Sequence, residues 1–132
     1  MRVVRSEEAP APVAGAPYSQ AIAATAGEIV WVSGQVPVDP QTGALVADDA
    51  DAQTRMALQN VRAVLAAAGA TLGDVVKATV FLTDMADFPV MNLAYREGFG
   101  DHAPARSTIG VAALPLGARV EIEVVAVISS ST

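Results

Sequence analysis

The sequence predicts an α+β layer in which two helices pack on one face of a mixed β-sheet. Three observations predict it: β-rich runs near both ends of the 132-residue chain, two capped runs with apolar residues at helical spacing, and one strand-like run between them. The predicted order is two strands, helix, strand, helix, two strands, with no internal repeat. Residues 1–132 are expected to form one domain, because a chain of this length buries a core without disulfides or metals.

The chain opens on the extended "RVVR" and the Ala/Pro-rich "SEEAPAPVAGAP", expected to run over the surface as a connector within the domain. "YSQAIAATAGEIVWVSGQ" holds two strand-like runs around Ala26, Gly27 and Glu28 and predicts a β-hairpin, with Ile29, Trp31 and Ser33 alternating against Val30, Val32 and Gly34. "PVDPQTGAL" is a loop of turn formers. A helix follows over "DDADAQTRMALQNVRAVLAAAG", with Asp48 or Asp49 as N-cap and Gly69 as terminator. Its apolar stripe is Ala57, Leu58, Val61, Val64, Leu65 and Ala68, opposite Arg55, Gln59 and Arg62.

"VVKATVFLTD" predicts a strand. "DFPVMNLAYREGFG" predicts the second helix, with Asp87 as cap, Pro89 in the first turn and an apolar edge of Phe88, Met91, Tyr95 and Phe99. "PARSTIGVAALPLGARVEIEVVAV" predicts a closing hairpin before a polar "SSST" tail. A turn over Leu114 to Gly117 would set Ala113 opposite Ala118, Thr108 opposite Glu123 and Gly110 opposite Glu121. Arg106, Thr108 and Gly110 would then share a face with Arg119, Glu121 and Glu123, while Ile109, Val111, Val120, Ile122 and Val124 enter the core. The sheet's second face is left without a covering element, which points to self-association.

Composition narrows the function. The net charge is −6 with no run of Lys or Arg, the wrong balance for a nonspecific nucleic-acid binder. No apolar stretch of ~18 residues offers a membrane span and the N-terminus lacks a signal-peptide core, so a soluble, cytoplasmic protein is expected. Cysteine is absent, which removes thiol chemistry and thiolate metal sites, and His102 is the only histidine, which removes a multi-His metal site. His102 reads as an ordinary loop residue. "VSGQ" is not a nucleophile elbow, so Ser33 is structural or a hydrogen-bond donor at a site edge. No glycine loop cradles a phosphate, and a reaction without cofactor, or no reaction, is expected.

What remains is a guanidinium and carboxylates in an apolar setting. A planar guanidinium pairs with a carboxylate through two hydrogen bonds, so Arg106 is a candidate anchor for a small acid. A nearby glutamate can position or deprotonate a water.

"GAPYSQAI", "VSGQVPVDPQTG", "ALQNVRAVLAAAGATLGDVVKATVFLTDMADFPVMN" and "PARSTIGVAALPLGARVEIEVVAV", in this order, resemble the RidA (YjgF) family, also labelled endoribonuclease L-PSP. The resemblance implies a chorismate-mutase-like homotrimer, helices outside and sheets inside, with ligand clefts between subunits. It implies hydrolysis of reactive enamines and imines such as 2-aminoacrylate to 2-keto acids and ammonia, with a small carboxylate as substrate. Carried over by motif, Arg106 would bind the substrate carboxylate, Glu121 would orient the attacking water and Tyr18 would line the cleft. Ser33, Gly34 and Asn92 would shape the pocket, and Glu123 is the second-choice carboxylate or one arm of a structural ion pair. Many relatives carry cysteine where this chain has Thr108, whose backbone N–H still faces the ligand. The alternatives are a pathway-specific relative acting on another imine, and a non-catalytic trimer that binds small carboxylates or partner proteins. A ribonuclease ranks last for so acidic a chain.

Overall fold

Helix α1 (Ala50–Ala67) starts and stops on the residues that the sequence nominates. Asp49 is its N-cap, with Oδ1 accepting from Asp51 N at 3.1 Å. Gly69, at φ 80°, closes it, and Gly69 N and Ala70 N return to the carbonyls of Ala66 and Leu65. Ala57, Leu58, Val61 and Leu65 are buried as expected, whereas Val64 and Ala68 are exposed. The buried stripe extends the other way, to Gln53 and Thr54. Both are fully buried because their polar atoms are satisfied: Gln53 Oε1 accepts from Arg119 N at 2.7 Å, and Thr54 Oγ1 donates to Ala50 O at 2.7 Å.

Helix α2 (Phe88–Phe99) begins with Pro89 in its first turn and buries Met91, Ala94, Tyr95 and Phe99. Asp87 occupies the N-cap but makes no capping hydrogen bond; its carboxylate turns to Arg119 instead.

The structure, a computed structural model, describes residues 1–129, so the last three residues of the "SSST" tail lie outside the described residues. Strands β1 (Arg2–Val4) and β2 (Ala21–Ala23) pair antiparallel as a small separate sheet. Four more strands form the main sheet: β3 (Gly27–Gln35), β4 (Val75–Leu82), β5 (Ala105–Gly110) and β6 (Val120–Ser129), in the order β3-β6-β4-β5. The β4–β5 pair is parallel, with α2 as its crossover, and the other pairs are antiparallel.

Neither predicted hairpin forms. β2 and β3 are consecutive but pair with β1 and β6 respectively, and β4 lies between β5 and β6. Alternation shows which residues of a strand share a face; it does not show which strands are neighbours. The loop from Val111 to Arg119 is long enough to step over β4, two strand spacings of ~4.8 Å each.

The insertion of β4 changes the faces. Ala78 pairs with both Arg106 and Val124, Val80 with Thr108 and Ile122, and Leu82 with Gly110 and Val120. Arg106, Thr108 and Gly110 therefore lie on the helix-covered face, against expectation, while Glu121 and Glu123 lie on the opposite face with Phe81, Thr79, Ser107 and Ile109. Ile109 is 45% exposed rather than in the core. Val120, Ile122 and Val124 are buried as predicted, packed with Leu58, Val61, Leu65, Met91 and Tyr95.

Among the described residues no element covers the second face: Trp31 is 74% exposed and Ile29 51%. Among the described residues, no helix is long and apolar enough to cross a membrane.

Candidate functional site

Arg106 is the only charged side chain among the buried described residues, at 7% exposure. β5 delivers it beneath α2, where Cζ stands 4.8 Å from the Tyr95 ring centroid, 5.2 Å from Tyr18 and 5.7 Å from Phe88. Nη1 approaches Met91 Sδ at 3.9 Å, while Nε and Nη2 are buried without a partner. Three aromatic faces and a thioether thus surround the cation without neutralising it. Burial lowers its pKa, and charge interaction with the phenol groups of Tyr95 and Tyr18 partly counters the shift. A guanidinium nevertheless stays protonated, so a positive charge with free N–H groups is held in a nonpolar wall.

The wall opens to a cleft of about 300 Å³, lined by Val13, Tyr18, Phe88, Arg106, Ser107 and Thr108. It lies along β5, the edge strand of the main sheet. Tyr18 is fixed from both sides: its hydroxyl accepts from Val13 N at 3.0 Å, and the next residue, Ser19, donates its N–H to Pro104 O at 3.1 Å. The Ala/Pro-rich segment is tied down by Gln20, whose Oε1 accepts from Ser6 N at 2.7 Å and whose Nε2 faces the carbonyls of Ser6, Ala9 and Pro10. Arg96 secures its far end by donating to Gly15 O at 2.9 Å. What reads as a connector in sequence is therefore a wall of the cleft.

The remaining buried, unpartnered side-chain polar atoms among the described residues are Thr108 Oγ1, Asn92 Oδ1 and Tyr95 OH. Each belongs to β5 or to α2, the elements that flank the guanidinium. Burial also raises the Tyr95 phenol pKa, keeping the hydroxyl neutral.

Glu121 stands apart from this cluster, on the open face of the sheet. β3 bulges between Val32 and Gln35, bringing Ser33 and Gly34 beside it. A methyl group at Gly34 would stand 2.5 Å from Glu121 Oε2, so the absence of a side chain there is what admits the carboxylate. Burial and, secondarily, the charge of Glu123 raise the Glu121 pKa above its ordinary value. Glu123 is exposed and makes no ion pair among the described residues. Within one chain, then, Arg106, Tyr18 and Thr108 line one cleft, Ser33, Gly34 and Glu121 form a second group, and the sheet separates them; Asn92 lies on α2 with its Oδ1 buried and unpartnered. His102 lies in a loop, with Nε2 2.6 Å from Val75 O.

Residues 8–128 match the family model described as endoribonuclease L-PSP. The chain belongs to this family, the RidA family. It is 48% identical to a RutC family protein of Pyrococcus horikoshii over 124 residues, 94% of this chain and 95% of the relative. It is 46% identical to the 2-iminobutanoate/2-iminopropanoate deaminase of Salmonella typhimurium over 129 residues, 96% and 97% of the two chains. Among solved structures it is similar to Escherichia coli TdcF with bound serine, at a TM-score of 0.74 and 42% identity, covering 98% of this chain and 100% of that one. Two helices on a mixed sheet is thus the RidA fold, and at a coarse level membership supports a hydrolase-type enzyme, since the family includes deaminases of reactive intermediates.

The Phe88, Met91 and Tyr95 surround of Arg106, and the Val13 wall, are absent from the sequence reading as site elements. The first three are visible there only as an apolar helix edge. A lone arginine in an otherwise uncharged strand is the signal that such an edge has a cation to enclose.

Proposed function

We propose that this RidA family member hydrolyses 2-imino acids, and the enamines that tautomerise to them, to 2-keto acids and ammonia. The observation that carries the reading is the buried Arg106 guanidinium, whose Nε and Nη2 have no partner and which borders an open cleft. Leaving a buried cation unpaired costs several kcal/mol, which a bound carboxylate offsets through two charge-assisted hydrogen bonds. Thr108 Oγ1 and the backbone N–H of Thr108 complete the anion seat, and Asn92 and Tyr18 bound the rest of the ligand.

Glu121 of the same chain lies across the sheet from that seat, so the carboxylate that meets the substrate comes from a second copy. Exposed Trp31 and Ile29 on the open face supply the apolar surface for this association, in which the protein is a homotrimer with clefts between subunits. Glu121 accepts a proton from water as its oxygen bonds to C2 and the C=N electron pair moves to nitrogen. The proton held by Glu121 goes to that nitrogen to complete the carbinolamine; Glu121 then takes the hydroxyl proton and passes it to nitrogen as the C2–N bond breaks, the C2=O bond forms and ammonia leaves. Water and imino acid enter; keto acid and ammonia leave. The imine carbon is already electrophilic, so fixing the acid and the water is most of the work, at best roughly 7–11 kcal/mol.

The test follows 2-iminopropanoate generated in situ by an amino-acid oxidase, with semicarbazide trapping the surviving imine. Wild type accelerates decay, and Arg106→Ala lowers kcat/KM by about 10²–10³-fold, the loss of a buried charge-assisted pair. Equal decay with and without wild-type protein contradicts the reading.

A further inference from the structure

Arg119 belongs to neither group of site residues and stands between the elements that carry them. It lies immediately before β6, two residues from Glu121. Nε donates to Asp48 Oδ1 at 2.6 Å and Nη1 to Asp87 Oδ2 at 3.1 Å. Its backbone N–H donates to Gln53 Oε1 at 2.7 Å, and its carbonyl accepts from Thr83 N at 3.1 Å. One residue thus ties together the approach to α1, the first turn of α1, the end of β4 and the start of α2.

Its two carboxylate partners are unequal. The Asp48 side chain is 77% exposed, so water competes with that contact, whereas the Asp87 side chain is only 18% exposed. Asp87 also does not cap its own helix, unlike Asp49 in α1; Arg119 is what holds it. The residue that follows Asp87 is Phe88, whose ring lies against the Arg106 guanidinium and lines the cleft.

We infer that Arg119, acting through Asp87, is a positioning residue that sets Phe88 against Arg106 and thereby tightens carboxylate binding. This rests on the reading of Arg106 as a carboxylate anchor. Without the Arg119–Asp87 pair the residue that precedes Phe88 makes no side-chain hydrogen bond among the described residues. Phe88 then withdraws, water reaches the guanidinium and the Arg106–carboxylate bond weakens. The chemistry at Glu121 is untouched, so the loss falls on binding.

The experiment compares Asp87→Ala, Asp48→Ala, Arg119→Met and the Arg119→Met/Asp87→Ala double variant in the full-length protein. Pyruvate, a 2-keto acid product, is the calorimetric binding probe, alongside KM and kcat for 2-iminopropanoate and thermal melts. Asp87→Ala and Arg119→Met each raise the pyruvate Kd and the KM about tenfold with kcat nearly unchanged, while Asp48→Ala moves neither. The double variant is no worse than either single one, the signature of a shared contact, and Arg119→Lys restores part of the affinity. A merely structural tether lowers Tm without this division between KM and kcat. An unchanged Kd in Asp87→Ala, or additive losses in the double variant, overturns the inference. Wild type that binds pyruvate without hydrolysing imine fails the hydrolysis reading alone, and wild type that binds no pyruvate overturns the anchor and this inference together.

Discussion

The two faces of the main sheet break the burial rule in opposite directions. On the helix-covered face, where the core is otherwise apolar, Arg106 is 7% exposed with two nitrogens unpartnered; on the open face Trp31 is 74% exposed beside Ile29. A buried cation and a solvated indole are each unfavourable in an isolated chain. Each becomes favourable when something arrives: an anion for the first, apolar protein surface for the second. On the proposed reading, ligand binding falls to one face and assembly to the other, with Glu121 on the assembly side.

The sharpest way to break this division is Trp31→Glu. If the open face is the interface of the proposed trimer, a charge placed in the apolar patch dissociates it, measured as a drop from three chain masses to one by light scattering, and the proposed imine turnover falls with it to background. Turnover retained by a monomer would sever the link between the open face and the cleft.

Next in size is the pH dependence of Glu121. Its pKa is held above the ordinary carboxylate value by burial and by Glu123, and in the proposed mechanism the base form is the active one. The rate therefore falls as pH drops through that raised value. Glu121→Gln removes this acidic limb and about 10²-fold of the activity. Linkage has a definite sign here: the folded state holds the Glu121 proton more tightly, so its contribution to stability is present below the unfolded carboxylate pKa and is lost as pH rises through the folded one. The Tm of Glu121→Gln relative to wild type thus climbs from acidic to neutral pH.

Gly34→Ala gives a smaller effect. Its methyl meets Glu121 Oε2 at 2.5 Å and displaces the carboxylate, lowering kcat about tenfold with little change in pyruvate affinity. A small change in stability sharpens the other face. Arg106→Met replaces an unpaired buried cation with an apolar chain of similar length, which raises Tm by about 5 °C while abolishing carboxylate binding. A lower Tm in that variant would mean that the aromatic surround stabilises the charge outright.

Both helices were legible in the sequence because their signals are local: Asp49 and Gly69 bound α1, and the spacing of Met91, Tyr95 and Phe99 marks the inner side of α2. β6 was legible too, with Val120, Ile122 and Val124 inward and Glu121 and Glu123 outward. The pairing of strands was not, because it depends on contacts distant in sequence. Placing β5 in a hairpin with β6 sent Arg106 to the wrong face, and only the insertion of β4 shows it among Phe88, Met91 and Tyr95. Of the candidate site, the residue types were legible and their grouping was not. Val13 was missed because a Pro-rich segment carries no periodicity, and it is held at the cleft by its own hydrogen bond to Tyr18 and by the tethers made by Gln20 and Arg96.

The most direct measurement mixes two inactive variants. Arg106→Ala and Glu121→Gln chains are unfolded together, refolded and assayed for 2-iminopropanoate decay against each variant refolded alone. If one copy supplies Arg106 and its neighbour supplies Glu121, random mixing leaves about a quarter of the clefts with both native residues and restores that share of wild-type turnover. A mixture no more active than its components, in trimers shown to contain both chains, contradicts the account.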